Sequence, residues 1–373
     1  MEPADKEKKQ ESKEEDKEEQ KKIDPKKVLE MQLEGIKLDP EQKKMMEDAD
    51  PTNSTEFREQ TVKLLTQIKE DKGSKDYKVA KKMQSLTPLY DSHDFWDSQP
   101  VPKAYESYDE ESLDKPIDEV KSVSDISKDP IPLPDGFYFE NVDISEAAQA
   151  NEVYTLLTKH YVEDDDNMFR FDYSIPFLQW ALNPPGYKKE WLFGIRHVKT
   201  KQLYGFISGI PVHVNVRGKS MNMAEINFLC VHRAYRTKKM AAKLIREVTR
   251  RVNLHDIWQA IYTAGIVIPK PFSKTTYWHR SLNPKKLIDV RFSSLPQGMP
   301  KARYLKMLKL PKEPSTKGIK KMETHHVPQV HKLLHDYFKQ TLQVYFEFTE
   351  EEVKHFFVPK DDGVLEAFVV EDP

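Results

Sequence analysis

The chain opens on a polar approach and only later takes on a regular apolar pattern. Over residues 1–30 nearly every position is Lys, Glu, Asp or Gln. Such a stretch has too little apolar surface to offset its chain entropy, so a disordered tail or a transient charged helix is expected. Phe57, Val62, Leu64, Leu65 and Ile68 predict a short helix over 55–70. Acidic, Pro-containing sequence then runs to about residue 134, interrupted by HDFWDSQPVP at 93–102, whose two aromatics are expected to dock on a folded body. From Pro132 the pattern becomes that of a packed domain. Ala148, Val153, Leu156 and Leu157 predict a helix over 145–160, and Phe177, Leu178 and Trp180 a second over 174–182. Apolar runs at 190–198, 203–216 and 223–231 read as strands. Met240, Ala241, Leu244, Ile245, Val248 and Val252 follow the 3.6-residue period of a helix over 237–254, and IWQAIYTAG (257–265) reads as a further strand. The order predicts an α/β (α+β) layered design around a mixed central sheet.

A weak internal repeat extends this picture. At an offset of 177, Val153 meets Val330, Leu156–Leu157 meet Leu333–Leu334, Tyr161 meets Phe338, Phe169 and Phe171 meet Phe346 and Phe348, and Trp180 meets Phe357. Each copy reads as helix, aromatic turn, short helix and apolar strand, EWLFGI in one and LEAFVV (365–370) in the other. A duplicated domain is one origin of so long a period. The first copy runs to about residue 311 and the second stops after one strand. The expectation is therefore an incomplete second copy and a last strand with an unpaired edge. The domain organisation expected is a disordered charged region over 1–90, a first half over 91–311, and the start of a second half over 312–373.

Composition narrows the function classes. A formal net charge of −2 in 373 residues gives no global attraction to nucleic acid. The single cysteine, Cys230, rules out a disulfide framework and argues against a cysteine-built metal site. No secretory leader or membrane-length apolar run is visible, so a soluble, cytoplasmic protein is expected. The mixed charges of the tail favour a solubilising role over an electrostatic tether to an acidic surface such as a ribosome.

The richest chemistry lies at EINFLCVHRAYRTKKMAAKLIREVTRR. A strand ending near Val231 passes through a loop carrying Arg233, Arg236, Lys238 and Lys239 into a helix for which Thr237 is a candidate N-cap. Free N–H groups and the positive end of the dipole suit such a terminus to phosphates, and small Ala241 and Ala242 permit close approach. On these residues alone a solvated basic turn before an ordinary helix stays open. Glu163–Asp166 is a second feature. Packed like charges favour an incoming cation, while a solvated acidic loop is the plain alternative. No glycine-containing calcium loop surrounds it, so no metal site is expected.

The strand-to-helix junction resembles the phosphate cradle of acyl-CoA transferases of the acetyltransferase superfamily, in a variant without glycines. EINFLCVHR is similar to the signature of the N-myristoyltransferases, with Arg233 where that family usually has Lys and RTKK (236–239) where it has RSKR. FWDSQPVP (95–102), YVEDDDNMFRFDYS (161–174), YTAG (262–265) and YWHRSLNP (277–284) extend the resemblance in the family's order over about residues 90–373. The resemblance implies an acetyltransferase-like fold and direct transfer of a myristoyl group from myristoyl-CoA to the N-terminal glycine amine of proteins. It implies no cofactor, myristoyl-CoA being the donor substrate, and peptides or nascent proteins beginning with glycine as partners of a monomeric enzyme. The backbone N–H groups of Phe228 and Leu229 would form the oxyanion hole. Asp94, Phe95, Trp96, Cys230, Val231, Arg236, Thr237, Lys238, Lys239, Met240 and Ala241 would bind the acyl-CoA. Tyr161, Asp164, Asp166, Phe169, Phe171, Tyr173, Asn227, Thr263, Tyr277 and His279 would line the peptide groove. Cys230 is read as a small buried hydrophobe and not as a covalent acyl carrier. In the family the base is the protein's own terminal carboxylate, whereas this sequence ends EDP and lacks KFGxGDG. A catalytically weak or inactive acyl-CoA-binding form is therefore the alternative expectation.

Overall fold

The computed structural model describes residues 25–50, 54–72, 96–102, 116–119, 121–162, 168–264, 271–273 and 275–371. The chain divides into two compact units, one of residues 1–121 with 264–274, the other of residues 122–263 with 275–373.

In the first unit α1 (Pro25–Leu33), α2 (Pro40–Asp48) and α3 (Ser54–Lys72) share a core of Leu29, Leu33, Ala49, Phe57, Leu64, Leu65 and Ile68. Disorder over 1–90 is thus not what residues 25–50 and 54–72 adopt; the rest of that region lies outside the described residues. The physical reason is spacing. Apolar side chains recur once or twice per turn between the charges, enough to give each helix one buried stripe. Asp39 adds a capping box, accepting from Gln42 N at 2.9 Å while Gln42 Oε1 accepts from Asp39 N at 3.1 Å.

The second unit is built on a mixed sheet. β1 (Phe137–Asn141), β2 (Leu192–His197), β3 (Leu203–Val216) and β4 (Lys219–Val231) pair antiparallel in that order, and β5 (Ala260–Ile261) joins β4 in parallel. β3 and β4 turn through Arg217 and Gly218, both at positive φ (50° and 87°), as a two-residue hairpin turn requires. α4 (Ala147–His160), α5 (Ile175–Leu182) and α6 (Met240–Asn253) pack on the sheet. α6 buries Met240, Leu244, Val248 and Val252, one residue per turn, against a core that includes Trp191, Phe193 and Phe206. Glu247 is fully buried on the same helix, but Arg250 and Arg251 donate to it at 2.7 and 2.8 Å, as does the Ile131 N–H at 3.1 Å.

The repeat has a structural counterpart. α9 (Val327–Thr341), α10 (Glu350–Phe357) and β8 (Phe368–Val370) follow β6 (Ile319–Lys321) as α4, α5 and β2 follow β1, with α7 (Pro284–Asp289) and α8 (Lys301–Met307) between the copies. β8 pairs antiparallel with β6 as β2 does with β1, and among the described residues no strand pairs with its other edge. The expected boundary at 311/312 does not separate compact units. β7 (Val344–Phe346), from the second copy, pairs with β3, and Glu347 accepts from Asn215 Nδ2 at 2.9 Å and from the Ser220 hydroxyl. Two further expectations are corrected. Of the strand expected over 257–265, only the two residues of β5 are strand among the described residues, and Thr237 is not the N-cap of α6. A 3₁₀ turn, Arg233–Lys238, precedes α6, and Lys239 at φ 55° takes the cap position.

Candidate active site

β3 and β4 pair without a break at Phe206↔Cys230 and at Ser208↔Asn227, which leaves Phe228 and Leu229 opposite the single residue Ile207. This is a β-bulge. Phe228 absorbs the extra residue by adopting φ 54°, a conformation that a bulky L-residue takes only under constraint. The constraint is visible. The Phe228 ring packs against Tyr173 and Tyr161, with centroids 5.4 and 6.1 Å away, and the Ser208 hydroxyl, fully buried across the bulge, donates to Asn227 O at 2.8 Å. The bulge takes the N–H groups of Phe228 and Leu229 out of register with β3. The Phe228 N–H faces the Tyr161 phenol, whose pKa is pushed up to about 12, chiefly by burial, with Tyr173 and Cys230 adding.

Beyond the bulge, Cys230, Val231 and Met240 are buried in the core. Burial pushes the Cys230 thiol up to about 12, so it is held protonated and offers no nucleophile. These three side chains belong to the buried core. Thr237, Lys238 and Lys239 are exposed, Lys238 lying 5.3 Å from the Tyr235 ring centre. No side chain caps α6, so its first N–H groups have no side-chain acceptor from the cap residue. Arg236 has another task as well. It donates to His160 O at 2.5 Å and to Val231 O at 3.4 Å, tying the basic turn to the end of α4. The His160 and His232 rings lie 3.9 Å apart. Burial, His232 and the guanidinium groups of Arg233 and Arg236 depress His160 to about 4, and burial with the same two arginines lowers His232. The turn therefore carries a positive field, which favours an anion.

On the other side of the bulge runs an aromatic row. Phe171 stacks on Tyr173 at 5.5 Å and Tyr173 on Phe177 at 5.1 Å, and Trp180 closes edge-on to Phe356 at 5.7 Å. Burial raises the Tyr173 pKa, with Tyr277 contributing, so Tyr277 approaches this row although it is largely exposed. Phe169 leaves the row and meets Phe292 at 5.1 Å. Asn227 borders the bulge, and Thr263 and His279 are exposed. Trp96 sits half-buried in a 3₁₀ turn of the first unit. Asp94, Phe95, Asp164 and Asp166 lie outside the described residues.

Sequence reasoning passed over Ser208, His160, His232 and Glu225. A serine inside an otherwise apolar strand was the readable signal for the first. Nothing in the residue type of Phe228 announced a left-handed conformation.

Comparison with known proteins gives a consistent picture. Residues 116–275 match the family described as Myristoyl-CoA:protein N-myristoyltransferase, N-terminal domain, and residues 289–373 match its C-terminal domain. Glycylpeptide N-tetradecanoyltransferase 1 of Arabidopsis thaliana is 42% identical over 88% of this chain and 75% of its own length. The Drosophila melanogaster and Caenorhabditis elegans relatives are 46% and 49% identical over 79% and 75% of this chain, which spans only 61% and 62% of their lengths. A crystal structure of Saccharomyces cerevisiae N-myristoyltransferase with bound myristoyl-CoA superimposes with a TM-score of 0.72 at 40% identity, covering 78% of this chain and 68% of that one.

Proposed function

Because the chain belongs to the myristoyl-CoA:protein N-myristoyltransferase family, we propose that it transfers a myristoyl group from myristoyl-CoA to the α-amine of an N-terminal glycine. The observation that carries this reading is the bulge at Phe228–Leu229, which sets two adjacent N–H groups out of register with β3 and is followed, through a basic 3₁₀ turn, by a helix start with no side-chain cap. In the proposed reaction these N–H groups donate to the thioester carbonyl oxygen, which displaces the Tyr161 phenol from Phe228. As the amine attacks, charge builds on that oxygen, and donors already fixed by the strand stabilise it without reorganising. The C–S bond breaks as the tetrahedral intermediate collapses, the proton lost by the attacking nitrogen is taken up by the departing CoA thiolate, and Cys230 takes no part.

Thr237, Lys238, Lys239 and the first N–H groups of α6, with Ala241 allowing close approach, hold the CoA phosphates, and Arg236 holds the turn in place. Trp96 with Asp94 and Phe95 contributes to the acyl-CoA side. Tyr161, Phe171, Tyr173 and Tyr277 line the acceptor groove, Asn227, Thr263 and His279 meet the amine or the peptide backbone, and Asp164 and Asp166 meet a basic side chain of the peptide. Phe169 belongs to the same wall through Phe292.

The exposed positions of Thr263, Tyr277 and His279 favour a second reading, an acyl-CoA-binding form with weak turnover. The test is to incubate the chain with myristoyl-CoA and a glycine-first peptide, follow the peptide mass, and measure binding of a non-hydrolysable myristoyl-CoA thioether by calorimetry. Acylated peptide is the expected result. Thioether binding without transfer would select the second reading, and loss of both would sink the proposal.

A further inference from the structure

Glu225 and Asn227 stand two residues apart on β4, so their side chains share one face. Asn227 Nδ2 donates to Glu225 Oε1 at 2.8 Å. A carboxylate only accepts, so this contact forces the carboxamide to present its NH₂ to Glu225 and its carbonyl away from it. Asn227 Oδ1 has no partner among the described residues, and the Asn227 backbone is held by the Ser208 hydroxyl. The next residue along the chain is Phe228, where the bulge begins.

Glu225 is also placed where a carboxylate is costly. It lines a cavity of about 320 Å³ whose other walls are largely apolar, among them Ile210, Pro211, Val212, Phe346 and Phe356. The remaining polar groups there are His213, Glu347 and Glu352; Glu347 is satisfied by Asn215 and Ser220, and Glu352 by Thr349. No lysine or arginine lines the cavity, and no cation pairs with Glu225 among the described residues. Burial raises its pKa, with the Asn227 hydrogen bond opposing. A half-buried carboxylate whose one bonded partner is a neutral amide is a poor stabiliser, but it is well suited to keep that amide from turning round.

We propose that Glu225 is a positioning residue that fixes the Asn227 carboxamide with Oδ1 toward the acceptor, so that the site selects a hydrogen-bond donor, the α-amine of the incoming peptide. This rests on the proposed function, which places Asn227 at the amine. An unpinned Asn227 could present either end of its amide and would lose that discrimination.

The test uses the full chain loaded with the non-hydrolysable myristoyl-CoA thioether, and calorimetry with a glycine-first peptide and its N-acetylated form. Glu225→Met keeps volume in an apolar wall and removes the acceptor. It is expected to weaken the free-amine peptide about tenfold, the scale of one charge-assisted hydrogen bond, and to leave the thioether and the acetylated peptide unchanged. Glu225→Gln, which can still accept from Asn227 Nδ2, is expected to recover affinity to within about threefold of native. Adding Asn227→Ala to Glu225→Met is expected to lose no more than Asn227→Ala alone, since the two act as one unit. If Glu225→Met no longer binds the thioether and so has not folded, the Gln variant and Asn227→Ala carry the comparison. Equal losses for Met and Gln would mean that the charge acts directly and would overturn the inference. So would native affinity in Glu225→Met, multiplied losses in the double variant, or a native chain that binds thioether but no peptide. A native chain that binds no thioether would instead overturn the proposed function.

Discussion

Phe228 at φ 54° carries strain that its ring contacts offset, and the two effects can be separated by substitution. Alanine keeps the cost of a left-handed backbone and loses the aromatic packing, while glycine loses the same packing and removes the strain. Both variants are expected to be less stable than the native chain, but Phe228→Gly should exceed Phe228→Ala by about 1 kcal/mol, the reverse of the usual order inside a strand. Urea denaturation of the three proteins measures this, and Ala at or above Gly would contradict the account. At Cys230 the expectation concerns reactivity. With the thiol buried and its pKa near 12, iodoacetamide at pH 8 should leave the native protein unmodified and alkylate it once unfolded, as intact mass will show. Modification of the native chain at the rate of a free thiol would mean that the core opens at β4.

Among the elements, what could be read from sequence follows from length and period. β3, β4 and α6 span 13 or 14 residues each, so the alternation of apolar and polar positions is sampled many times and their existence was legible. β1 and β5 were not foreseen in their observed form. FYFEN is five residues on the edge of the sheet and AI is two, lengths at which tertiary pairing decides and local pattern does not. α1 and α2 were hidden by charge density, because Leu29 and Leu33 are buried among residues that on composition alone read as a solvated tail. The candidate site divides the same way. The basic turn was legible as charge, but its geometry was not: a residue in the left-handed region at Lys239 and a bulge at Phe228 have no signature in residue types that seldom adopt them. The helical unit carries its own expectation. Its core is small, so Phe57→Ala, a loss on the order of 3–5 kcal/mol, is comparable to the roughly 2.5–7.5 kcal/mol that about 50 residues ordinarily hold in reserve. Limited proteolysis should then cleave within residues 25–72 while fragments covering residues 122–263 persist. Protection equal to the native chain would show that Phe57 does not hold these helices.

At the scale of the whole second unit, the two copies of the repeat are joined by more than chain connectivity. β7 lies beside β3, and Glu347, immediately after β7, holds both Asn215 near the end of β3 and Ser220 at the start of β4. This carboxylate is therefore a fastener between copies, and its removal should register in the stability of the unit rather than in a local loop. Glu347→Ala is expected to cost about 1–2 kcal/mol, the net value of two hydrogen bonds to a charged acceptor that is itself half in water. The pH dependence gives the sharper test. The Ser220 hydrogen bond, against the opposing effect of burial and with help from Asn215, holds Glu347 below the usual carboxylate range. A carboxylate depressed on folding contributes stability that is fully present above its unfolded pKa and is lost as pH falls through its folded value. The stability difference between native and Glu347→Ala chains should thus be constant from pH 8 down to about pH 5 and shrink below it, where the unfolded chain takes up the proton before the folded one does. Urea denaturation across that range measures it. A difference that grows toward acid would require Glu347 to be raised on folding, and would remove the ground for treating it as the fastener that makes the two copies one body.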